Sequence, residues 1–292
     1  MEYRSKLDEY GAAPSVQEVD EMVARARAGA SRNTNKGVYE LCYGCIDLTS
    51  LETTDNDAKI TEFARKTVEF PAVFPGVPNV ASICVYPNFV ETVGIATGDS
   101  GIRITSVAGG FPSSQTYLEV KMLEIAMAVE NGADEIDIVI AVGEILAGEY
   151  GRAASEIEAI RAELGDEVVL KVIVESGALQ TPEHIRKASL VSMIAGADFV
   201  KTSTGKIAVA ATPEAAVVMC GAIRDYYEKT GRRVGFKAAG GVRTPEDAAL
   251  YYTIVEDILG REWLDPALFR IGASSAANNL LSAITGKEVK YY

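Results

Sequence analysis

Phe199-Val200-Lys201-Thr202-Ser203-Thr204-Gly205-Lys206 runs from two apolar residues into a lysine, then into a loop of small residues that ends on a second lysine. Before it, Ala195-Gly196-Ala197-Asp198 reads as a helix C-cap glycine and a short connection. After it, Thr212-Pro213-Glu214 reads as the start of the next helix. The stretch is therefore one strand between two helices, and Lys201 stands at the strand's end.

Outward from this unit the same alternation continues. Strand-like runs are expected at Leu41 to Ile46, Val80 to Tyr86, Ile102 to Val107, Glu135 to Val139, Val168 to Val174, Asp198 to Lys201, Arg233 to Lys237 and Leu268 to Ile271. Helical stretches fall near 57–70, 88–96, 114–130, 152–164, 182–195, 213–229 and 245–260, with a last one starting near Ser274. In the helix near 114–130, Leu118, Met122, Ile125 and Val129 are spaced to form one buried stripe. Several strands are apolar at almost every position, as parallel strands covered on both faces must be. Eight such units predict a single (β/α)8 TIM barrel rather than an open doubly wound sheet, and no G-x-G-x-x-G follows the first strand. The barrel is expected over 38–287 and a C-terminal tail over 288–292. Residues 1–37 form an extension with an amphipathic helix from Val16 to Gly29 and a polar linker after it. That extension reads as an appendage, a cap over one barrel end or a contact with a partner subunit.

Hydrophobic residues make up 48% of the 292-residue chain and charged ones 24%, which is enough apolar material for a large core. A formal net charge of −13 argues against nonspecific binding to nucleic acid or anionic membranes, both of which need clustered Lys and Arg. No apolar run approaches the roughly 18 residues of a membrane span, and the amino terminus lacks a signal-peptide core, so the cytoplasm is the expected compartment. Cys42, Cys45, Cys84 and Cys220 are expected to be thiols. Cys42 and Cys45 form a C-x-x-C, but in a strand their side chains would face opposite sides, which favours packing over redox chemistry. His184 is the only histidine and sits at a helix start, which leaves histidine metal sites and Ser-His-Asp catalysis without support.

The charges that break the apolar strands carry the chemistry. Asp137 lies inside the fourth strand, Lys171 inside the fifth, Lys201 ends the sixth and Lys237 ends the seventh. A buried unpaired ion costs several kcal/mol or changes its protonation state. Consecutive barrel strands would bring three lysines and one carboxylate to a single interior wall. A buried ion-pair network, or lysines snorkelling outward, would also accommodate them. The unbalanced cluster suits imine chemistry, because desolvation and a neighbouring ammonium both favour the neutral, nucleophilic amine; a phosphosugar isomerase or epimerase with Asp137 as base, or a non-catalytic phosphosugar sensor, is the alternative on the same barrel. Gly205-Lys206 after the sixth strand, Gly240-Gly241 with Arg243 after the seventh, and Gly272-Ala273-Ser274-Ser275 after the eighth read together as a phosphate site.

With these residues in hand, the chain resembles the deoxyribose-phosphate aldolase family of class I aldolases. The resemblance rests on Asp47-Leu-Thr49, Ile83-Cys-Val-Tyr-Pro87, Gly132-Ala-Asp-Glu-Ile-Asp137, Leu170-Lys-Val-Ile-Val-Glu175, Phe199 to Lys206, and Gly235-Phe-Lys-Ala-Ala-Gly-Gly-Val-Arg-Thr244. It implies reversible cleavage of 2-deoxyribose 5-phosphate to glyceraldehyde 3-phosphate and acetaldehyde, in deoxyribonucleotide and carbohydrate catabolism, with no metal or organic cofactor. Lys201 would form the Schiff base and Lys237 would depress its pKa. Asp137, Lys171 and a water would move protons. Asp47, Thr49, Cys84 and Thr202 would join the phosphate-loop residues in the substrate site. Tyr292 would match a terminal tyrosine that reaches back to the site in some members. Leu48 stands where many members carry His, and residues 1–37 extend beyond the usual start. The expected partners are a phosphorylated small sugar and, as a homodimer, a second copy of the chain.

Overall fold

The computed structural model describes residues 2–292, without the side chains of Glu2 and Ser275. Two helices, α1 (Glu2–Asp8) and α2 (Val16–Ala30), precede α3 (Lys36–Gly44) and the first strand, β1 (Ile46–Thr49). The chain then alternates through α4 (Asp57–Val73), β2 (Ser82–Val85), α5 (Val90–Thr97), β3 (Arg103–Val107), α6 (Leu118–Glu130) and β4 (Glu135–Val139). It continues with α7 (Val142–Ala147), α8 (Tyr150–Leu164), β5 (Val169–Ile173), α9 (Ser176–Leu179), α10 (Pro182–Ile194) and β6 (Phe199–Lys201). Last come α11 (Pro213–Thr230), β7 (Gly235–Ala239), α12 (Pro245–Leu259), β8 (Phe269–Ala273) and α13 (Ser275–Thr285). All neighbouring strands are parallel, and β8 pairs with β1 to close an eight-stranded barrel, the TIM-barrel fold expected. Helix starts follow the sequence signals: the side chains of Thr181, Thr212 and Thr244 each accept a backbone N–H of the first turn, with proline just inside.

The first strand is not where periodicity placed it. Residues 41–44 end α3, because the Asn35 side chain caps that helix and Val38, Cys42 and Tyr43 are buried at helical spacing. Cys42 and Cys45 thus flank a helix end rather than alternate along a strand. Both are buried and free, and burial pushes both thiols up, which leaves them packing residues. The displaced strand puts Asp47 inside β1.

Beyond the expected helix at residue 16, the extension contains α1, and the expected linker is a 3-10 turn leading into α3. Asn33 in that turn is buried, donating to Thr253 Oγ1 (2.9 Å) and Glu256 Oε2 (3.0 Å) of α12. Helix α2 lies along α11 and α12, on the outside of the barrel rather than over an end. It buries Val19, Val23 and Ala26 at spacings of four and three.

Helix α6 starts at Leu118, later than expected, and its buried line is Lys121, Ile125 and Ala128. Leu118, Met122 and Val129 are only half-buried, so the predicted stripe is rotated. Lys121 occupies the inner position by donating to Ser114 Oγ (2.8 Å) and Glu156 Oε2 (2.7 Å). The rotation leaves Tyr117, Val120, Leu123 and Met127 exposed.

Candidate active site

Strand register carries the ionisable residues into the barrel interior. Asp137 is level with Lys171, Lys201 with Lys237, and Lys237 with Arg270. Lys201 ends β6 as expected, whereas Lys237 is the middle residue of β7, two positions earlier in the strand than the sequence suggested. Asp137 is the hub. Its Oδ2 accepts from Lys201 Nζ and Lys237 Nζ, each at 2.8 Å, and its Oδ1 accepts from Lys171 Nζ at 2.9 Å. All four side chains are essentially shut off from solvent.

Three further groups complete the network, and the sequence reading left two of them out. Asp47, expected to line the pocket, is fully buried beneath it, paired with Lys237 and Arg270 and accepting from Ser82 Oγ at 2.8 Å. Glu135 lies 2.6 Å from Lys171 Nζ and 2.9 Å from Arg270 Nη2. Counting the buried side chains, four cations (Lys171, Lys201, Lys237, Arg270) face three carboxylates (Asp47, Glu135, Asp137), rather than three against one, and partly exposed Arg103 pairs with Glu135 at 2.6 Å from outside that group. Nor does the group occupy one wall, since β1 and β8 contribute as well. A signal for the missed pair was present. Glu135 precedes Asp137 by two on one strand and so shares its face, and Arg270 interrupts an apolar run.

The charges sort themselves by surroundings. Burial disfavours a charged Lys201 and so lowers its pKa; Asp137 opposes the shift and the neighbouring Lys237 ammonium adds to it. Burial acts on Lys237 and Lys171 too, but the carboxylates of Asp137, Asp47 and Glu135 outweigh it and raise both above the ordinary lysine value. Asp137 and Asp47 are held well below the usual carboxylate range by the cations around them, against the opposing effect of burial. Glu135 is likewise held, at about 2, by Lys171 and Arg270. With Lys201 neutral, three cations face three carboxylates.

Above Lys201, at the C-terminal mouth of the barrel, opens a cavity of about 160 Å³. Thr49, Leu51, Glu52, Thr204, Gly205, Lys206, Gly240, Gly272 and Ser274 line it together with Lys201. Larger hollows flank the N-terminal extension, such as one of about 620 Å³ between α1 and α10, but the buried ionisable groups converge under the smaller one. The loops after β6 and β7 touch here. A Cβ on Gly240 would sit 2.7 Å from Ala210 Cβ and 3.1 Å from Gly205 Cα, and both glycines have positive φ. Lys206 reaches across to donate to the Leu51 carbonyl.

Gly272 was expected after the eighth strand but lies within it. A Cβ there would come 3.3 Å from Lys237 Cε, so its absence makes room for the lysine. Ser274 precedes α13, whose first turn has no side-chain cap. Ser275 begins that helix, but its side chain lies outside the described set.

Other expected site residues stand apart from the cavity. Cys84 is buried beside the lysines with Leu51 and Val107, its thiol pushed up by burial. Thr202 spends its hydroxyl between β6 and β7, donating to the Ala239 carbonyl (3.1 Å) and accepting from Ala239 N (3.0 Å). Gly241 and Arg243 are exposed beyond the lining. Tyr292 is not brought to the site. Its ring packs on Phe63 and Tyr291, and Asn278 binds its backbone at both N and O. Among the described residues no group of His, Cys, Asp and Glu has the arrangement to hold a metal ion.

A lysine-rich charge cluster under the C-terminal mouth of an eight-stranded barrel places this chain among the barrel lyases that make and break carbon–carbon bonds. The chain belongs to the DeoC/LacD family of aldolases, whose family model matches residues 45–263. It is 39% identical to the deoxyribose-phosphate aldolase of Homo sapiens over 262 residues, covering 85% of this chain and 82% of that protein. It is 44% identical to that of Mus musculus over 218 residues, covering 73% and 68%. The tetrameric deoxyribose phosphate aldolase of Aeropyrum pernix shares the fold, with a TM-score of 0.68 at 24% identity over 92% of this chain and 98% of that one.

Proposed function

We propose that this aldolase cleaves 2-deoxyribose 5-phosphate to glyceraldehyde 3-phosphate and acetaldehyde through an imine on Lys201. One observation carries the reading: Lys201 is the cation of the buried network that opens onto the cavity, and the one whose charge its surroundings disfavour. Its neutral amine attacks the aldehyde carbon of the open-chain sugar. Protonation of the carbinolamine hydroxyl and its departure as water then give the iminium. Removal of the C3 hydroxyl proton breaks the C2–C3 bond, and the electron pair moves into the iminium as an enamine. Protonation at C2 and hydrolysis release acetaldehyde and restore the lysine. Asp137, Lys171 and a water carry the protons, and Lys237 stays charged to keep Lys201 neutral. Lys206, the Gly205 and Gly240 loops and the start of α13 meet the phosphate.

The names of the human and murine relatives support this substrate. Among the described residues no helix is long and apolar enough to cross a membrane. A cytoplasmic, catabolic setting is included in the proposal. So is a homodimer, for which the exposed row Tyr117, Val120, Leu123 and Met127 supplies apolar surface for a second copy to cover. Borohydride reduction in the presence of acetaldehyde, followed by peptide mapping, should label Lys201. A label elsewhere, or activity that survives Lys201→Arg, would remove the imine from the mechanism.

A further inference from the structure

Glu175 lies just past β5, outside every expected catalytic role, in a conformation that an L side chain rarely adopts: φ 53° and ψ 59°. It is 5% exposed. Its two carboxylate oxygens are both used, on one residue of the next loop: Oε1 accepts from Thr204 N at 3.2 Å and Oε2 from Thr204 Oγ1 at 2.6 Å. Thr204 Oγ1 in turn accepts from Lys206 N at 3.0 Å. Between them Gly205 turns through positive φ, and Thr204, Gly205 and Lys206 all line the cavity. The two donors reach two different oxygens, so both terminal atoms must accept, whereas in an amide one of those positions is an NH2 donor. A glycine would adopt this backbone without strain, so the strained glutamate is there for what its oxygens hold.

We infer that Glu175 is a positioning residue for the phosphate end of the substrate, fixing Thr204 and, through it, the Gly205-Lys206 turn that faces the cavity. The inference rests on the reading of that turn as the phosphate site. Glu175 touches neither the network around Asp137 nor the reacting carbons, so its loss acts on binding of the anion rather than on the chemical step.

The test is steady-state kinetics of the full chain with 2-deoxyribose 5-phosphate and with unphosphorylated 2-deoxyribose, together with competitive inhibition by inorganic phosphate. Glu175→Gln and Thr204→Val should each raise the KM for the phosphorylated sugar and the Ki of phosphate about tenfold, on the scale of one charge-assisted hydrogen bond. For Glu175→Gln, which lies outside the cavity lining, the kcat and the kcat/KM for deoxyribose should change less than about threefold. Thr204→Ser should restore both constants. The double variant should be no worse than either single one, because the two residues act through one contact. Glu175→Gly, relieved of the strained backbone, should show the same KM defect while folding normally. Equal losses on both sugars, or an unchanged Ki for phosphate, would overturn the assignment. A wild-type enzyme that treated the two sugars alike and ignored phosphate would instead refute the phosphate site itself.

Discussion

Replacing Lys237 by methionine should move the ascending limb of the pH–rate profile towards alkali. Lys201 Nζ and Lys237 Nζ each lie 2.8 Å from the same oxygen of Asp137, which puts the two nitrogens close together in the buried interior. At an effective dielectric near 20 and roughly 5 Å, two unit charges repel by on the order of 3 kcal/mol, about two pKa units. The sign follows from the positions. Lys237 is held charged and lowers the Lys201 pKa, so removing it raises that pKa and leaves Asp137 to raise it further. The kcat/KM at neutral pH should fall on the order of 100-fold and recover as pH rises, the limb shifting by about two units. The pH dependence of borohydride-trapped imine should shift in parallel, and this readout does not depend on turnover. Because Asp47 and Asp137 lose a cation, the variant should also be less stable by about 3–5 kcal/mol, so profiles are taken at temperatures where it stays folded. A limb that stays in place in a folded Lys237→Met enzyme would mean that burial alone tunes Lys201.

Two other perturbations read other parts of the molecule. Glu135 is held at about 2 against an ordinary 4.5, so its contribution to stability is present above pH 4.5 and is lost as pH falls towards 2. That contribution is on the order of 3 kcal/mol, and Glu135→Gln should be less stable than wild type at neutral pH yet lose less on acidification, as urea midpoints across that range would show. Leu123→Asp on α6 should convert a sedimenting dimer to monomer, whereas a wild-type chain already sedimenting as a monomer would rule out self-association through that face.

The barrel was legible because several of its parallel strands are apolar on both faces and three of its helices begin at Thr-Pro-Glu. The error at Leu41 to Ile46 shows the limit. A short apolar run serves a helix end or a strand equally well, and the cap at Asn35 decided it. Lys201, Lys237, Lys171 and Asp137 were legible as charges where charge is costly. Arg270 and Glu135 violate the same rule, but one lay near the edge of its run and the other at a strand start, where exposure is the ordinary expectation. What one strand cannot reveal is which charges face each other across a barrel, so the balance of four against three emerges only from the closed fold. The docking of Tyr292 was likewise out of reach, since it depends on Asn278 and Phe63 from two separate helices.

That balance has a consequence for the catalytic cycle under the proposed mechanism. A free amine on Lys201 leaves the buried group at three cations against three carboxylates, an iminium adds one positive charge to it, and the enamine is neutral again. The interior thus behaves like a small capacitor, charged when water leaves the carbinolamine and discharged when the C2–C3 bond breaks. The groups around it are packed into strands and cannot reorient to absorb the added charge, so the field favours the step that consumes the iminium. The fixed positive charges of Arg270, Lys171 and Lys237, of the same sign as the iminium, then act on the reaction without contacting the sugar.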